Sequence, residues 1–154
     1  MENVSTSPSQ GTLVFSSDHG GYELKEFLKK EAQSQGFKVV DCGTHSLESV
    51  DYPDYIEPVV RAVLKGAQGV MICGSGIGMS IAANRFKGIR AALCCDASMT
   101  KLARSHNDAN ILVLGERLMS QEEALTCLLV FLNTPFEGGR HTRRVEKLDE
   151  LVGP

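Results

Sequence analysis

The chain has 154 residues, of which 42% are hydrophobic, and this is enough for one domain with a buried core. Its net charge of −3 excludes a nucleic acid or an acidic membrane as the main partner, because either would require a basic surface. The five cysteines are odd in number and lack Cys-x-x-Cys spacing, which argues against a disulfide framework or a zinc ribbon and favours the cytoplasm. No segment resembles a leader peptide or a membrane span, so we expect a soluble protein.

Short apolar runs alternate with longer stretches of helical period along most of the chain. Residues 1–11 are polar and rich in serine, so we expect a disordered tail there and a single domain at 12–154. The period predicts strands at 12–16, 37–41, 69–73, 89–94 and 110–114, and helices at 23–35, 55–65, 78–86, 97–105 and 121–132. After residue 133 we expect a final charged helix that adds nothing to the core.

This alternation of five strands with five helices predicts the α/β class. Parallel strands joined by helices form a sheet that is covered on both faces, and the nearly continuous apolar runs at 70–73 and 91–95 suit such strands. Gly36 is placed to end the first helix, and Ser120 with Glu123 predicts a capping box for the helix at 121–132. We therefore expect a three-layer, doubly wound, Rossmann-like fold with a five-stranded parallel sheet.

The carboxyl end of the third predicted strand carries the strongest chemical signal. Ligands of parallel α/β sheets bind beyond the strand ends, and Cys73 stands there, followed by Gly74, Gly76 and Gly78. These glycines allow backbone amides to approach an anionic oxygen, and a thiol beside a helix start is favoured as the reactive thiolate. We interpret Cys73 as a base or nucleophile, and we expect the other four cysteines to be small buried residues of the core.

Other polar residues near strand ends have two interpretations each. Asp18 and His19 could bind a ligand, or could be a helix cap with a solvated histidine. His106 and Asn107 could also bind a ligand, but their spacing by itself favours a helix C-cap pair. Arg140 and Arg144 are four residues apart and share one face of a predicted helix. They could bind a phosphate together, or they could belong to a solvated basic surface. No set of His, Cys, Asp or Glu has metal-ligand spacing, so the sequence predicts no metal.

A nucleotide-binding regulatory module is the main rival function. The order strand, Gly74-x-Gly76, helix, strand, Asp96 resembles a dinucleotide fingerprint with its ribose-binding acid. Met79 stands where that fingerprint requires its last glycine, and the motif follows the third strand instead of the first. Nucleotide binding is therefore the second hypothesis.

Seven short motifs occur in order between about residue 12 and residue 151. They are Ser17-Asp18-His19-Gly20-Gly21, Asp51-Tyr52-Pro53, Ile72-Cys73-Gly74-Ser75-Gly76-Ile77-Gly78, Ala82-Ala83-Asn84-Arg85, Gly88-Ile89-Arg90-Ala91, His106-Asn107-Asp108 and Glu137-Gly138-Gly139-Arg140-His141. Taken together, these motifs resemble one enzyme family, the type B ribose-5-phosphate isomerases.

The resemblance implies an aldose-ketose isomerase of the non-oxidative pentose phosphate pathway. Such an enzyme interconverts ribose 5-phosphate and ribulose 5-phosphate without a cofactor or metal, as a homodimer or tetramer whose active sites are shared between subunits. The catalytic residues it implies are Cys73 as the base, Ser75 at the enediolate, His106 for ring opening and Asp18 near the reacting oxygens. The substrate-binding residues it implies are His19, Gly74, Gly76, Gly78, Asn107, Arg117, Arg140 and Arg144.

One departure within the family concerns the base. A second branch has glycine in place of Cys73 and glutamate in place of Met79, so this chain is similar to the cysteine branch. Galactose-6-phosphate isomerase subunits share some of the motifs, and an isomerase of galactose or allose 6-phosphate remains the alternative.

Overall fold

A computed structural model of the chain describes residues 11–151 and 153. Its strands are β1 (Thr12–Ser17), β2 (Lys38–Asp41), β3 (Gln68–Cys73), β4 (Ala91–Leu93) and β5 (Ile111–Gly115). Its α-helices are α1 (Tyr22–Ser34), α2 (Glu57–Leu64), α3 (Ile77–Ala83), α4 (Ala97–Ser105), α5 (Gln121–Asn133) and α6 (Arg140–Asp149). Short 3-10 helices lie at His19–Gly21, Tyr52–Tyr55 and Glu116–Leu118. Among the described residues, no helix is both long and apolar enough to cross a lipid bilayer.

All strand pairs are parallel, and the order across the sheet is β2-β1-β3-β5-β4. Helices α1 and α5 cover one face, where their apolar side chains pack with Phe15, Ile72 and Leu114. Helices α2 and α3 cover the other face, around Met71 and Val113. The expected three-layer fold with a five-stranded parallel sheet is confirmed.

The alignment of the three central strands determines where the site lies. Ser17 pairs with Ile72, and Cys73 pairs with Gly115, so β1, β3 and β5 end at the same edge of the sheet. Their side chains are almost all buried, as expected for strands covered on both faces. The residues that follow these strands therefore converge at that edge.

Most predicted elements are present, with shifted ends. The ladder of β4 covers only Ala91–Leu93 of the predicted 89–94, and α2 begins at Glu57 after a 3-10 turn that contains Pro53. Gly36 has φ +95° after α1, and both halves of the Ser120–Glu123 capping box are formed. The tail predicted at 1–11 lies outside the described residues except for Gly11.

The expectation that the last helix contributes no core is wrong. His141 and Val145 of α6 are buried, with 7% and 8% of their surfaces exposed. They are four residues apart and so lie on one face of the helix, while most of the other α6 side chains are exposed. The high charge of the segment concealed this narrow buried stripe.

A buried ionic cluster joins α1 to the end of β2. The side chain of Lys25 is completely buried, and its Nζ lies 2.5 Å from Asp41 Oδ2 and 2.9 Å from Glu26 Oε2. Lys29 Nζ also lies 2.5 Å from Asp41 Oδ2. Burial by itself would raise the pKa of Asp41, but the hydrogen bonds from Lys25 and Lys29 outweigh it and hold that pKa below its ordinary value. Asp41 Oδ1 also accepts from the amide of Gly43, so the cluster anchors the chain beyond β2.

Candidate active site

A cleft of about 190 Å³ lies at the carboxyl ends of β1, β3 and β5. Open α/β sheets bind ligands at this edge. The lining residues come from the segments that follow the three strands, together with one aromatic ring from the loop before α2. They are Asp18, His19, Gly20, Tyr52, Cys73, Gly74, Ser75, Gly78 and Arg117.

Cys73 is the last residue of β3 and has 5% of its surface exposed. Its Sγ accepts a hydrogen bond from the amide of Gly76 at 3.2 Å. Gly76 has φ +80°, a conformation that favours glycine, and this allows the chain to turn from β3 into α3. The same amide would stabilise negative charge on the sulfur, since a hydrogen bond to a charged acceptor is stronger than one to a neutral acceptor.

Ser75 stands in the middle of this turn, where its Oγ accepts from the amide of Ile77 at 3.2 Å. The turn is packed directly against Gly115, because a Cβ atom there would lie only 2.5 Å from the carbonyl carbon and oxygen of Ser75. The guanidinium of Arg117 lies over Gly74, and its amide donates to the carbonyl of Gly74 at 3.0 Å. The end of β5 therefore supports the turn and brings a cation to it.

Asp18 and His19 form the opposite wall of the cleft. Asp18 has 8% of its surface exposed, and its Oδ1 accepts from the amide of Gly20 at 2.9 Å, as a cap of the short helix that follows. His19 Nδ1 accepts from the amide of Val50 at 3.1 Å. With Nδ1 as the acceptor, the neutral ring carries its proton on Nε2, which can donate to an anion. The ligand-binding interpretation of both residues thus agrees with their position, although each also has a structural bond.

The other predicted site residues do not line this cleft. His106 is the residue that caps the end of α4, and Asn107 lines a separate groove of about 590 Å³ beside β4. Arg140 and Arg144 are exposed on the first turns of α6. Within one chain, the predicted site is therefore divided into a cleft set and a second set around α4 and α6.

The second set contains an arrangement that the sequence did not indicate. The rings of His106 and His141 are stacked with 4.2 Å between centroids and 16° between planes. Glu137 Oε1 lies 3.7 Å from His141 Nε2 and 4.0 Å from His106 Nε2. Burial lowers the pKa of His141, and the neighbouring His106 and Arg140 lower it further. These effects favour the neutral form of the His141 ring over its protonated form.

Two further residues, one lining the cleft and one beside it, had no assigned role. Tyr52 packs on the turn, since a Cβ atom on Gly78 would lie 2.6 Å from its ring. Glu116 Oε1 accepts from the amide of Leu24 at 2.8 Å and so caps the first turn of α1; burial raises its pKa. The Asp51-Tyr52-Pro53 motif in the sequence already pointed to Tyr52. No sequence pattern could indicate the cap formed by Glu116, because the two bonded residues are 92 positions apart.

In the structure, Asp96 is not placed to act as the ribose-binding acid of the rival dinucleotide hypothesis. Asp96 caps α4, where its Oδ1 accepts from the amide of Met99 at 2.8 Å and from Ser98 Oγ at 3.2 Å. It does not line the cleft that contains the glycine turn. Its side chain therefore has a structural task away from the position that a ribose would occupy.

The family model described as Ribose/Galactose Isomerase matches residues 13–148. The chain belongs to this family. A crystal structure of the ribose 5-phosphate isomerase of Thermotoga maritima is 54% identical, with a TM-score of 0.89, covering 91% of this chain and 98% of that one. Ribose-5-phosphate isomerase B of Escherichia coli is 42% identical over 141 residues, which cover 90% of this chain and 95% of the relative.

One structure of a ribose/galactose isomerase family member contains a sugar phosphate. Ribose-5-phosphate isomerase B of Mycoplasma genitalium, solved with bound ribulose-5-phosphate, is 37% identical to this chain with a TM-score of 0.88. The alignment covers 91% of this chain and 95% of that one. The family resemblance and the isomerase class expected from the sequence are thereby confirmed, whereas the roles of individual residues remain predictions.

Proposed function

We propose that this isomerase interconverts ribose 5-phosphate and ribulose 5-phosphate, as its relatives in Escherichia coli and Mycoplasma genitalium are named for doing. The observation that carries the proposal is the cleft itself, in which the thiol of Cys73 faces a space bordered by Asp18, Ser75 and Arg117. This space combines a base, hydroxyl and amide donors and a cation, which are the groups that an enediolate reaction on a phosphorylated sugar requires. The same reaction is the basis for placing the enzyme in the non-oxidative pentose phosphate pathway, and the five free cysteines favour a cytoplasmic location.

In the proposed reaction, the thiolate of Cys73 removes the proton from C2 of the open-chain aldose. The electron pair of that C–H bond forms the C1–C2 double bond, and the carbonyl pair moves onto O1 to give the enediolate. The proton of the O2 hydroxyl then passes to O1, and Cys73 returns its proton to C1, which leaves the ketose carbonyl at C2. Ser75 and the amides of the turn stabilise the developing negative charge, and Asp18 lies near the reacting oxygens.

We assign the rest of the substrate to groups with matching charge. His19, through Nε2, and Arg117 are positioned in the cleft to bind an anion. In the second set, His106 opens the sugar ring, Asn107 contacts the sugar, and the exposed Arg140 and Arg144 bind phosphate.

The second set must reach the cleft for this assignment, and we propose that it does so across a dimer. Helix α3 begins beside the cleft and exposes Ile77 and Ile81, which are 53% and 60% accessible. Helix α4, which His106 caps, exposes Met99 and Leu102, and these are 45% and 51% accessible. A two-fold axis that packs α3 of one copy on α4 of the other would bury both apolar faces and bring His106 of the partner subunit to the cleft.

The substrate assignment is tested by measuring turnover of ribose, galactose and allose phosphates in the presence of a chelator. We expect ribose 5-phosphate to give the highest kcat/KM, and a preference for a six-carbon substrate would refute the assignment. Cys73→Ala should lower kcat by about 10² to 10⁴-fold, the range for loss of a general base. Cys95→Ala, which removes an exposed cysteine, is the matched control. Full activity of Cys73→Ala would exclude the proposed base.

The shared site is tested by mixing two inactive subunits. If Cys73 and His106 act from different chains, a dimer of one Cys73→Ala and one His106→Asn subunit has one intact site and one doubly altered site. Random pairing then restores about a quarter of wild-type activity, because half of the dimers are mixed. If both residues acted within one chain, every site would stay altered and the mixture would remain inactive. Ile81→Glu should also disrupt the dimer, so that light scattering gives the mass of a monomer and the protein is inactive. Leu64→Glu, at an exposed position of α2, should remain a dimer.

A further inference from the structure

His106, Glu137 and His141 bring three metal-ligand atoms together from separate parts of the chain. His106 caps the C-terminus of α4, Glu137 lies in the loop before α6, and His141 belongs to the first turn of α6. One ligand atom of each lies within 4.8 Å of the other two. Two imidazoles and one carboxylate form the ligand set of many zinc sites that keep a fourth position for water.

The side chain of His141 is the observation that indicates a ligand. It is 9% exposed, and its Nε2 has no hydrogen-bond partner among the described residues. A buried polar atom without a partner is unfavourable, so a group that bonds to this nitrogen would stabilise the protein. Nε2 faces the carboxylate of Glu137 at 3.7 Å, which is beyond hydrogen-bond distance.

The charge state of the cluster suits a divalent cation. A metal binds imidazole through a nitrogen lone pair, and Nε2 of His141 has no hydrogen-bond partner among the described residues that would compete for it. Glu137 supplies the negative charge, and 59% of its side chain is exposed, so an ion can enter from solvent. Arg140 and Arg144 also lie near His141 and oppose a cation. We therefore expect weaker binding than at a four-ligand structural site.

We propose that His106, Glu137 and His141 form a binding site for zinc and chemically similar divalent transition metals, and that the bound ion inhibits the isomerase by occupying Nε2 of His106. The inhibitory part rests on the proposed function, in which His106 opens the sugar ring. Ligand atoms of a tetrahedral zinc site lie about 3.4 Å apart, so the 3.7 Å and 4.0 Å separations from Glu137 must shorten by roughly half an ångström. The two rings must also tilt out of their stacked arrangement to direct both lone pairs to one ion.

Binding is measured by titrating metal-free protein with Co²⁺ and then displacing it with Zn²⁺. Tetrahedral Co²⁺ gives visible absorption bands, and thiolate coordination adds a near-ultraviolet band that identifies binding to cysteine instead. We expect visible bands without the thiolate band. His141→Phe keeps a ring stacked on His106 but removes the ligand, and Glu137→Gln removes the charge at an exposed position.

Both variants should bind Co²⁺ at least about tenfold more weakly, since even changes outside the ligand shell cost 10 to 100-fold. His45→Gln, at an exposed histidine outside the cluster, should bind like wild type. Unchanged affinity in both ligand variants, or a thiolate band in wild type, would overturn the site.

Inhibition is measured as ribose 5-phosphate turnover against Zn²⁺ concentration, with each variant compared with its own metal-free rate. We expect wild type and His45→Gln to be inhibited and chelator to restore activity, while His141→Phe and Glu137→Gln require at least tenfold more Zn²⁺. Binding at the cluster without inhibition would overturn the inhibitory role. If the protein did not turn over ribose 5-phosphate, the proposed function would fail, and the Co²⁺ titration would still decide the site.

Discussion

Gly115→Ala tests whether the end of β5 sets the geometry of the turn that we propose to be catalytic. The new Cβ would lie 2.5 Å from backbone atoms of Ser75, whereas ordinary contacts begin near 3.4 Å. The turn must therefore retreat by about 0.9 Å, because backbone cannot rotate aside as a side chain can. A misplacement of about 1 Å can cost about 100-fold in rate, so we expect kcat/KM to fall by about that factor, or roughly 2.7 kcal/mol of transition-state stabilisation.

The assay is steady-state turnover of ribose 5-phosphate, with urea unfolding measured on the same samples. Gly69→Ala is the matched control, since Gly69 lies in the neighbouring strand at the opposite end of the sheet. Its Cβ would meet only side chains, those of Val59, Val63 and Ile111, at 2.9 to 3.1 Å. We expect both variants to lose stability but only Gly115→Ala to lose kcat/KM. The reasoning is refuted if Gly115→Ala keeps kcat/KM within about threefold of wild type, or if Gly69→Ala loses as much.

Three further predictions concern stability, each measured by urea unfolding. Asp41→Asn should cost about 3 kcal/mol at pH 7, and Asp54→Asn, at an exposed carboxylate, much less. Because the pKa of Asp41 is lowered in the folded protein, the ionised carboxylate stabilises the fold above about pH 4, and this stabilisation is lost as pH falls through the folded pKa. The difference in free energy of unfolding between wild type and Asp41→Asn should therefore become smaller in acid, and a difference that stays constant would contradict this. Ser120→Ala should cost about 1 kcal/mol through loss of the capping box, and an unchanged midpoint would count against it. Because the pKa of His141 is lowered in the folded protein, the unfolded chain binds a proton more readily below about pH 6.5, and protonation therefore favours unfolding. The free energy of unfolding should fall less for His141→Phe than for wild type when the pH is lowered from about 7 to about 5.

The sequence was sufficient for the architecture because each step depended on local pattern. Alternating apolar runs and helical periods identified the strands and helices. The rules for parallel sheets then place Cys73 at the ligand-binding edge without any information on tertiary contacts. The ends of elements were less predictable. Ile89 and Arg90 belong to the predicted strand but precede the β4 ladder, because the amide of Arg90 donates instead to the side chain of Asn110.

The family resemblance named His106, Asn107, Arg140 and Arg144, but the contacts within this second set could not be predicted because they join distant segments. The stacking of His106 on His141 joins residues 35 positions apart, and no local period marks such a pair. A weak signal existed in the last helix, where His141, Val145 and Leu148 follow the i, i+4, i+7 spacing of a packed face. The surrounding charges made that segment resemble a solvated helix. Spacing along the chain likewise gave no indication of the cluster formed with Glu137.

The unequal lengths of the strands have a consequence for local opening. The two edge strands have four and three residues, whereas the three strands between them have five or six and are covered on both faces. Amide hydrogens of β1, β3 and β5 should exchange with solvent only when the whole domain unfolds, while those of β2 and β4 exchange through fraying. The segments that carry Asp18, Cys73 and Arg117 therefore begin at the slowest-exchanging part of the molecule, and partial opening at either edge leaves the cleft assembled.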